Sequence, residues 1–133
     1  NTSLLYKTLD GGQTWDALSP PEQNVSLADI FFIDSNIGWA VGVNNDDYQP
    51  IIAKTSDGMN FTTQFSKDIQ GNLNHIQFVN QHEGFAGGFD MFQNPLLFKT
   101  TDGGDNWSDI SSNINSGKII DMYFHDHLTG WVC

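Results

Sequence analysis

A short motif containing an Asp-Gly turn occurs three times, and it constrains the fold more than any other feature of the chain. The copies occupy residues 7–15, 54–61 and 99–107, and each runs from Lys-Thr through Asp-Gly to an aromatic residue. An apolar run that enters an Asp-Gly turn and resumes at an aromatic residue predicts a β-hairpin. Glycine supplies the positive φ of the turn, and the Asp carboxylate can accept hydrogen bonds from turn amides. The residues to which we assign this structural role are Asp10, Gly12, Trp15, Asp57, Gly58, Phe61, Asp102, Gly104 and Trp107.

A second motif lies between these turns and keeps the same period. It occupies residues 28–42, 74–88 and 120–133, and its glycines Gly38, Gly84 and Gly130 are spaced by 46 and 46 residues. The turn aspartates are spaced by 47 and 45 residues. Two motifs that share a period of about 40–50 residues with β patterning are typical of propeller blades. The sequence therefore predicts an all-β propeller of four-stranded antiparallel blades.

Each repeat is predicted to form four strands. The first strands are expected at residues 30–33, 76–79 and 122–125, and the second strands at 38–43 and 84–88. The third strand leads into the Asp-Gly turn, and the fourth starts at Trp15, Phe61 or Trp107. The polar segments 19–27, 66–74 and 111–118 are predicted to be loops between blades. The resulting single propeller domain contains a half blade at 1–18, blades at 28–65 and 74–110, and a half blade at 119–133.

Three blade-equivalents are fewer than the roughly 4 to 8 blades of a closed propeller. We therefore expect a six- to eight-bladed ring, formed either by a longer chain from which this stretch is an excerpt or by two chains sharing six blades. The opening residue Asn1, which is not Met, favours a processed or excerpted chain. The half blades are expected to contribute strands at 4–8, 14–18, 119–125 and 130–133. Their edges invite pairing with the rest of a longer chain or with a second copy.

The charge of the chain excludes several classes of partner. Sixteen Asp and Glu residues face five Lys and no Arg, giving a formal net charge of −11. Nucleic acid is disfavoured, because neutralising phosphates requires a basic surface, and an anionic membrane surface is disfavoured for the same reason. Membrane insertion is not expected, since no apolar run approaches the roughly 20 residues of a spanning helix. The single cysteine excludes an internal disulfide framework.

The Thr-X-Asp-Gly-Gly-X-X-Trp motif resembles the Asp-box, or BNR repeat, and it is paired here with the sequence Ile-Phe-Phe-Ile-Asp-Ser-Asn-Ile-Gly-Trp-Ala-Val-Gly at 30–42. The resemblance is closest to the photosystem II stability/assembly factor-like family and its secreted bacterial relatives, and more distant to sortilin (Vps10), sialidase and xyloglucanase propellers. It implies a non-catalytic interaction or assembly module at an extracellular, cell-surface or periplasmic location. The alternative that it implies is a glycoside hydrolase whose catalytic residues lie partly outside this stretch.

The chain departs from these relatives at identifiable points. It has no Arg, whereas a sialidase grips its substrate carboxylate with an arginine cluster and the plastid and cyanobacterial assembly factors carry an Arg-rich patch. A xyloglucan-cleaving enzyme needs two opposed carboxylates, and the sequence nominates no such pair. The second Asp-Gly motif has four steps from Asp57 to Phe61 instead of five, which predicts a tighter turn.

Binding residues are expected where the repeat symmetry is broken, because loops on a rigid scaffold concentrate function. The non-repeating loops span 43–50 and 89–95, and exposed aromatic residues with polar neighbours suit a protein or glycan partner. The candidates are Asp46, Asp47, Tyr48, Phe89, Met91 and Phe92. No catalytic residue and no cofactor is predicted.

Two segments carry potential metal ligands. Asn44, Asp46 and Asp47 offer oxygen ligands of the type that Ca²⁺ prefers, but they lack a pinning glycine and a distant bidentate Glu, so a solvated loop is favoured. The triplet at 125–127 reads His-Asp-His, which suggests zinc, yet Asp126 aligns with the turn residues Asp34 and Asn80. We therefore expect this triplet to straddle the end of a strand.

Overall fold

The computed structural model describes residues 5–133, which form four antiparallel sheets and contain no α-helix. Sheet 1 contains β1 (Leu5–Lys7) and β2 (Asp16–Leu18). Sheet 2 contains β3 (Val25–Phe32), β4 (Gly38–Asn44), β5 (Pro50–Thr55) and β6 (Phe61–Ser66). Sheet 3 contains β7 (Gly71–Phe78), β8 (Gly84–Asp90), β9 (Pro95–Thr100) and β10 (Ser108–Asp109). Sheet 4 contains β11 (Met122–Phe124) and β12 (Gly130–Val132), and one turn of 3-10 helix spans Ser111–Asn113.

Each sheet is a meander in which every strand pairs with its neighbours along the chain. The prediction of an all-β fold with four-stranded antiparallel sheets is confirmed by sheets 2 and 3. Sheet 1 holds a third and a fourth strand of the repeat, and sheet 4 holds a first and a second strand.

The first strands begin earlier than predicted, at Val25 and Gly71, so the predicted loops at 19–27 and 66–74 are too long. The reason is a β-bulge, which falls between Leu27 and Asp29 in β3 and at the equivalent place in β7. An extra residue at a bulge breaks the alternation of apolar and polar side chains, and this hides the strand from a pattern with a period of two.

Other strand limits also differ from the prediction. The second strands extend to Asn44 and Asp90, because the backbone ladder continues past the last buried residue. Phe89 therefore lies in β8 rather than in a loop. The fourth strands of sheets 1 and 3 begin one residue after the Trp, while that of sheet 2 begins at Phe61 as predicted. The strands of sheets 1 and 4 are shorter than expected within the described residues, and position 4 lies outside those residues.

The core lies between successive sheets, because alternate residues of each strand point to opposite faces. In β4, Trp39 and Val41 pack toward sheet 3, whereas Ala40 packs toward sheet 1. The cluster between sheets 2 and 3 contains Trp39, Val41, Ile52, Leu73, Ile76, Phe78, Ala86, Leu96 and Phe98. A smaller cluster between sheets 3 and 4 contains Phe85, Leu97, Ile119 and Met122.

The same aromatic contact joins each of these two pairs of sheets. The Trp39 ring stacks on Phe78 with ring centroids 3.5 Å apart, and Phe85 stacks on Phe124 with ring centroids 3.6 Å apart. In both cases a second strand meets the first strand of the following sheet. Trp39 also donates its indole N–H to the Gly103 carbonyl at 3.1 Å, so its polar edge is satisfied although the side chain is buried.

Candidate functional site

The two ends of the sheet stack differ in character. One end, which we call the turn end, carries the Asp-Gly turns and the turns that follow the first strands; the Gly103 amide donates to the His82 carbonyl there at 2.8 Å. The other end, the loop end, carries the connections 45–49, 67–70 and 91–94. Repeated residues occupy the turn end, and non-repeated residues occupy the loop end.

The third Asp-Gly turn shows how its carboxylate is used. Asp102 Oδ1 accepts the Thr100 hydroxyl at 2.8 Å and the Asn106 backbone N–H at 2.9 Å. Asp102 Oδ2 accepts the Asn106 side-chain amide at 2.8 Å. These hydrogen bonds, led by that of the Asn106 side chain, lower the pKa of Asp102 from 3.8 to about 2. The carboxylate therefore stays ionised and is occupied by its own turn.

The other two turns use the same arrangement. Asp10 accepts hydrogen bonds from the backbone and hydroxyl of Thr14 at 2.9 and 2.6 Å, which lower its pKa from 3.8 to about 2, the Thr14 hydroxyl contributing most. Asp57 accepts the backbone N–H and side-chain amide of Asn60, each at 2.8 Å, and its pKa is also lowered, chiefly by the backbone hydrogen bond. The three carboxylates belong to three different sheets and do not share a pocket.

The aromatic residues close these turns in two ways. Trp15 and Trp107 donate their indole N–H groups to Gly12 and Gly104 carbonyls at 3.1 and 3.0 Å. Phe61 has no such donor and is buried instead with Ala40 and Ala53 in a small cluster between sheets 1 and 2. The second turn also has one glycine at positive φ, Gly58, where each of the others has two.

The turns after the first strands carry a second repeated carboxylate or amide. Asp34, Asn80 and Asp126 each accept two backbone N–H groups from their own turn, at 2.7 to 2.9 Å. Asp126 thus lies in a turn, just beyond the end of β11, and its pKa is lowered chiefly by the hydrogen bond from the Leu128 backbone. Among residues 5–133, no group of three or more His, Cys, Asp or Glu side chains is placed to hold a metal ion.

At the loop end, residues from the two non-repeating loops meet at one cleft. Tyr48 from the β4–β5 loop, Phe89 from the end of β8 and Met91 from the β8–β9 loop line a cleft of about 510 Å³, whose floor is formed by residues 70–72. Backbone hydrogen bonds fix both walls to this floor. The Gly71 amide donates to the Tyr48 carbonyl, and the Met91 amide donates to the Gln70 carbonyl, each at 2.9 Å.

Tyr48 is held in an uncommon backbone conformation with its side chain in solvent. Its φ is 60°, in the left-handed region that non-glycine residues seldom adopt, and its amide donates to the Asn44 carbonyl at 2.8 Å. Strained residues of this kind concentrate at functional sites, where the surrounding structure maintains them. Met91 and Phe92 are also exposed, but Phe92 does not line the cleft.

Asn72, which lines the cleft, has a buried side-chain oxygen, Oδ1, with no hydrogen-bond partner among the described residues. The Asn72 amide nitrogen donates to Asn74 at 2.6 Å, which leaves the oxygen free to accept. A buried acceptor without a donor is costly, so this oxygen is an unsatisfied polar group in a residue of the cleft floor. Asp90 also lines the cleft; burial raises its pKa, but hydrogen bonds from Asn94 and Phe92 outweigh this effect and lower it.

The candidate calcium ligands are engaged by local groups. Asn44 Oδ1 accepts the Asp46 amide at 2.9 Å, Asp46 Oδ1 accepts the Asn24 side chain at 2.5 Å, and Asp47 Oδ1 accepts the Gln49 amide at 3.0 Å. These contacts build the loop that presents Tyr48. The structure therefore brings Tyr48, Phe89 and Met91 together and places Asp46 and Asp47 in the exposed loop beside them.

A row of polar residues that the sequence reasoning did not single out crosses three sheets. His75 Nδ1 lies 3.2 Å from Asp29 Oδ2, and His75 Nε2 lies 3.0 Å from Asp121 Oδ1. Asp29 Oδ2 also accepts the Ile76 amide of the next sheet at 2.9 Å. The signal that could have revealed this row is its spacing, since residues 29, 75 and 121 are each 46 apart.

Comparison with protein-family models, with curated proteins and with solved structures gave no match. Within the described part of the chain, no helix has the length and apolar character needed to cross a bilayer.

Proposed function

We propose that the chain is a non-catalytic interaction module on an Asp-box β-propeller scaffold, and that it acts at a secreted, cell-surface or periplasmic location. Its loop-end cleft binds an apolar group of a protein or glycan partner. The observation that carries the proposal is the convergence of Tyr48, Phe89 and Met91 on one cleft with an unpartnered acceptor, Asn72 Oδ1, beside them. Aromatic anchors around a few polar groups are typical of binding sites.

The proposed propeller architecture is supported by the aromatic contact that recurs between successive sheets. Sheets 2 and 3 have the same four strands, the same bulge and the same aromatic contact to the following sheet. Successive blades related by one repeated contact produce a ring of six to eight blades in this proposal. The half blade at 1–18, the blades at 28–65 and 74–110, and the half blade at 119–133 are its units.

A binding role is supported over a hydrolytic one by the way in which the repeated acids are used. Glycoside hydrolysis needs two carboxyl groups that face each other across the scissile bond. Asp10, Asp57 and Asp102 instead accept hydrogen bonds from their own turns, one in each of three sheets. Their repetition suits a scaffold, since a catalytic site is normally singular.

The proposal is tested by selecting ligands and then mutating the cleft. Phage-displayed peptides and an array of β-glucan, xyloglucan and sialoside oligosaccharides are screened against the wild-type chain. We expect Tyr48→Ala to weaken binding of the selected ligand at least tenfold, as truncation of an anchor residue does. Leu128→Ala, which removes an exposed apolar side chain at the turn end, is the matched control and should bind like the wild type.

Two results would overturn the proposal. One is unchanged affinity in both Tyr48→Ala and Met91→Ala, which would place the ligand elsewhere on the molecule. The other is sustained hydrolysis of any of the oligosaccharides, which would favour the glycoside hydrolase. Thermal melting of each variant separates a loss of binding from a loss of folding.

A further inference from the structure

Sheets 1 and 4 are complementary halves of one four-stranded sheet. Sheet 1 contains the third and fourth strands of the repeat, and sheet 4 contains the first and second. Within residues 5–133, β1 pairs only with β2, and β12 pairs only with β11. We propose that the β11–β12 hairpin of one copy of the chain pairs with β1 of a second copy and inserts Trp131 into the cleft between sheets 1 and 2 of that copy.

The surface that receives the hairpin, which we call the acceptor side, is identified by apolar residues that are exposed only in sheet 2. Ile30 is 47% exposed, whereas its repeat equivalents Ile76 and Met122 are 3% and 6% exposed. Phe32 is 38% exposed, whereas its equivalent Phe78 is 4% exposed. Ile76 and Phe78 are covered by the second and third strands of the preceding sheet. Ile30 and Phe32 lack that cover because, among residues 5–133, sheet 1 contains only the third and fourth strands of the repeat.

The hairpin that is inserted, which we call the donor side, is identified by Trp131. It is 61% exposed, whereas its equivalents Trp39 and Phe85 are 0% and 3% exposed. Trp39 and Phe85 each stack on the phenylalanine that ends the first strand of the following sheet. The equivalent stack for Trp131 is on Phe32, the residue left uncovered on the acceptor side.

The acceptor side also supplies space and a hydrogen-bond acceptor. A largely apolar cleft of about 290 Å³ lies between sheets 1 and 2, lined by residues that include Leu5, Ile30, Phe32, Gly58 and Phe61. Gly58 is the repeat equivalent of Gly103, whose carbonyl accepts the Trp39 indole N–H. The Gly58 carbonyl accepts Lys7 Nζ at 3.2 Å, and a carbonyl oxygen has a second lone pair for the Trp131 indole.

The repeat also fixes the register of the new pairing. In sheet 2, β4 pairs with β5 so that Trp39 lies opposite Lys54 and Val41 opposite Ile52. By equivalence, Trp131 lies opposite Lys7, and Cys133 lies opposite Leu5. The exposed, free Cys133 is therefore next to the partner's β1. When the reciprocal junction also forms, the two copies complete all four of their half sheets.

The first test is sedimentation velocity at micromolar protein in about 0.15 M salt, where the Debye length is about 8 Å and repulsion between copies of charge −11 is screened. The wild type is expected to dimerise. Trp131→Asp and Ile30→Asp should each weaken dimerisation at least tenfold, whereas Phe92→Asp, a matched change at the loop end, should not. A 1:1 mixture of the Trp131 and Ile30 variants should recover dimer, because one intact donor then meets one intact acceptor.

This mixing experiment distinguishes the proposed pairing from an association in which the Trp131 side chains of two copies contact each other. If Trp131 side chains merely met each other, the Ile30 variant would dimerise normally and mixing would restore nothing. Either of those outcomes overturns the proposal, as does a wild-type chain that remains monomeric. Circular dichroism melts show that each variant is folded before it is scored.

The second test addresses the register. Leu5→Cys should form a disulfide-linked dimer with Cys133 of the other copy when both thiols are oxidised by diamide. Phe92→Cys is the control and should cross-link at least tenfold more slowly. Equal rates in the two variants would overturn the predicted register. The interface is separate from the loop-end cleft, so failure here leaves the ligand-binding proposal intact, and the reverse also holds.

Discussion

At the scale of single residues, the repeated aspartates of the Asp-Gly turns act as acceptors for their own backbone. We expect Asp102→Ala to lower the melting temperature, because the Asn106 amide and the Thr100 hydroxyl lose their acceptor. Asp105→Ala is the control in the same turn. It removes a carboxylate whose partner is Lys54 at 3.1 Å, and exposed ion pairs contribute little. In thermal denaturation, the melting temperature of Asp102→Ala should be lower than those of Asp105→Ala and the wild type.

One result would contradict this structural role. An Asp102→Ala variant with wild-type melting temperature that fails to bind a selected ligand would make Asp102 part of the binding site.

The same carboxylates predict how stability depends on pH. The pKa of Asp102 falls from 3.8 to about 2 on folding, so its hydrogen bonds stabilise the native state above about pH 4. That contribution is lost as the pH falls from about 4 to about 2, and the melting temperature should fall over the same range. Asp102→Asn retains an oxygen acceptor but cannot titrate. Its melting temperature should therefore fall less steeply than that of the wild type over this range, and an identical pH profile would contradict the assignment.

At the scale of strands and sheets, the bulge in each first strand depends on a facing glycine. A Cβ on Gly88 would collide with the carbonyl oxygen of Asn72, whereas a Cβ on Gly87 would meet only the side chains of Ile119 and Met122 at 3.0 Å. Backbone cannot move aside as a side chain can. We expect Gly88→Ala to cost at least the roughly 1–3 kcal/mol of overpacking, and Gly87→Ala to cost less. Urea denaturation of the two neighbouring variants measures the difference, and equal losses would contradict the bulge as the cause.

These bulges also limit how well the ends of the first strands can be predicted from the sequence. The repeat spacing of Gly38, Gly84 and Gly130 was sufficient to predict four-stranded antiparallel units. The alternation of side chains alone did not predict the extension of β3 back to Val25, because a bulge shifts the inward-facing positions by one residue. Gly42 and Gly88 carried the missing signal, since each lies opposite a bulge in the paired strand.

The candidate cleft was predictable in part. Tyr48, Phe89 and Met91 could be nominated because they lie where the repeats diverge. That they share one cleft depends on the backbone hydrogen bonds from Gly71 to Tyr48 and from Met91 to Gln70, which connect segments distant in sequence. Asn72 was missed because its segment reads as an ordinary polar connection. The row of Asp29, His75 and Asp121 is hidden in the sequence because the middle repeat carries a histidine where the other two carry an aspartate.

At the scale of the whole molecule, sheets 2 and 3 share the larger buried cluster, whereas sheets 1 and 4 each have one described neighbour. Amides of β4 and β9, which carry the fully buried Trp39 and Phe98, should therefore exchange most slowly with deuterium. Amides of β1 and β12 should exchange faster in dilute protein. Hydrogen-exchange mass spectrometry resolves these segments, and uniform protection across all four sheets would indicate a single cooperative unit instead.

Because the same aromatic contact recurs between successive sheets, the gene can gain or lose whole repeats. Unequal crossing-over between two repeats removes or adds 46 codons at a time, the spacing of Gly38, Gly84 and Gly130. Excision of residues 39–84 would fuse Gly38 to Phe85, so that β3 would pair with β8 in a hybrid sheet. That sheet would still present Phe85 to Phe124, as it does now. Recombination at this point therefore changes the number of sheets while the stacking of Phe85 on Phe124 is retained.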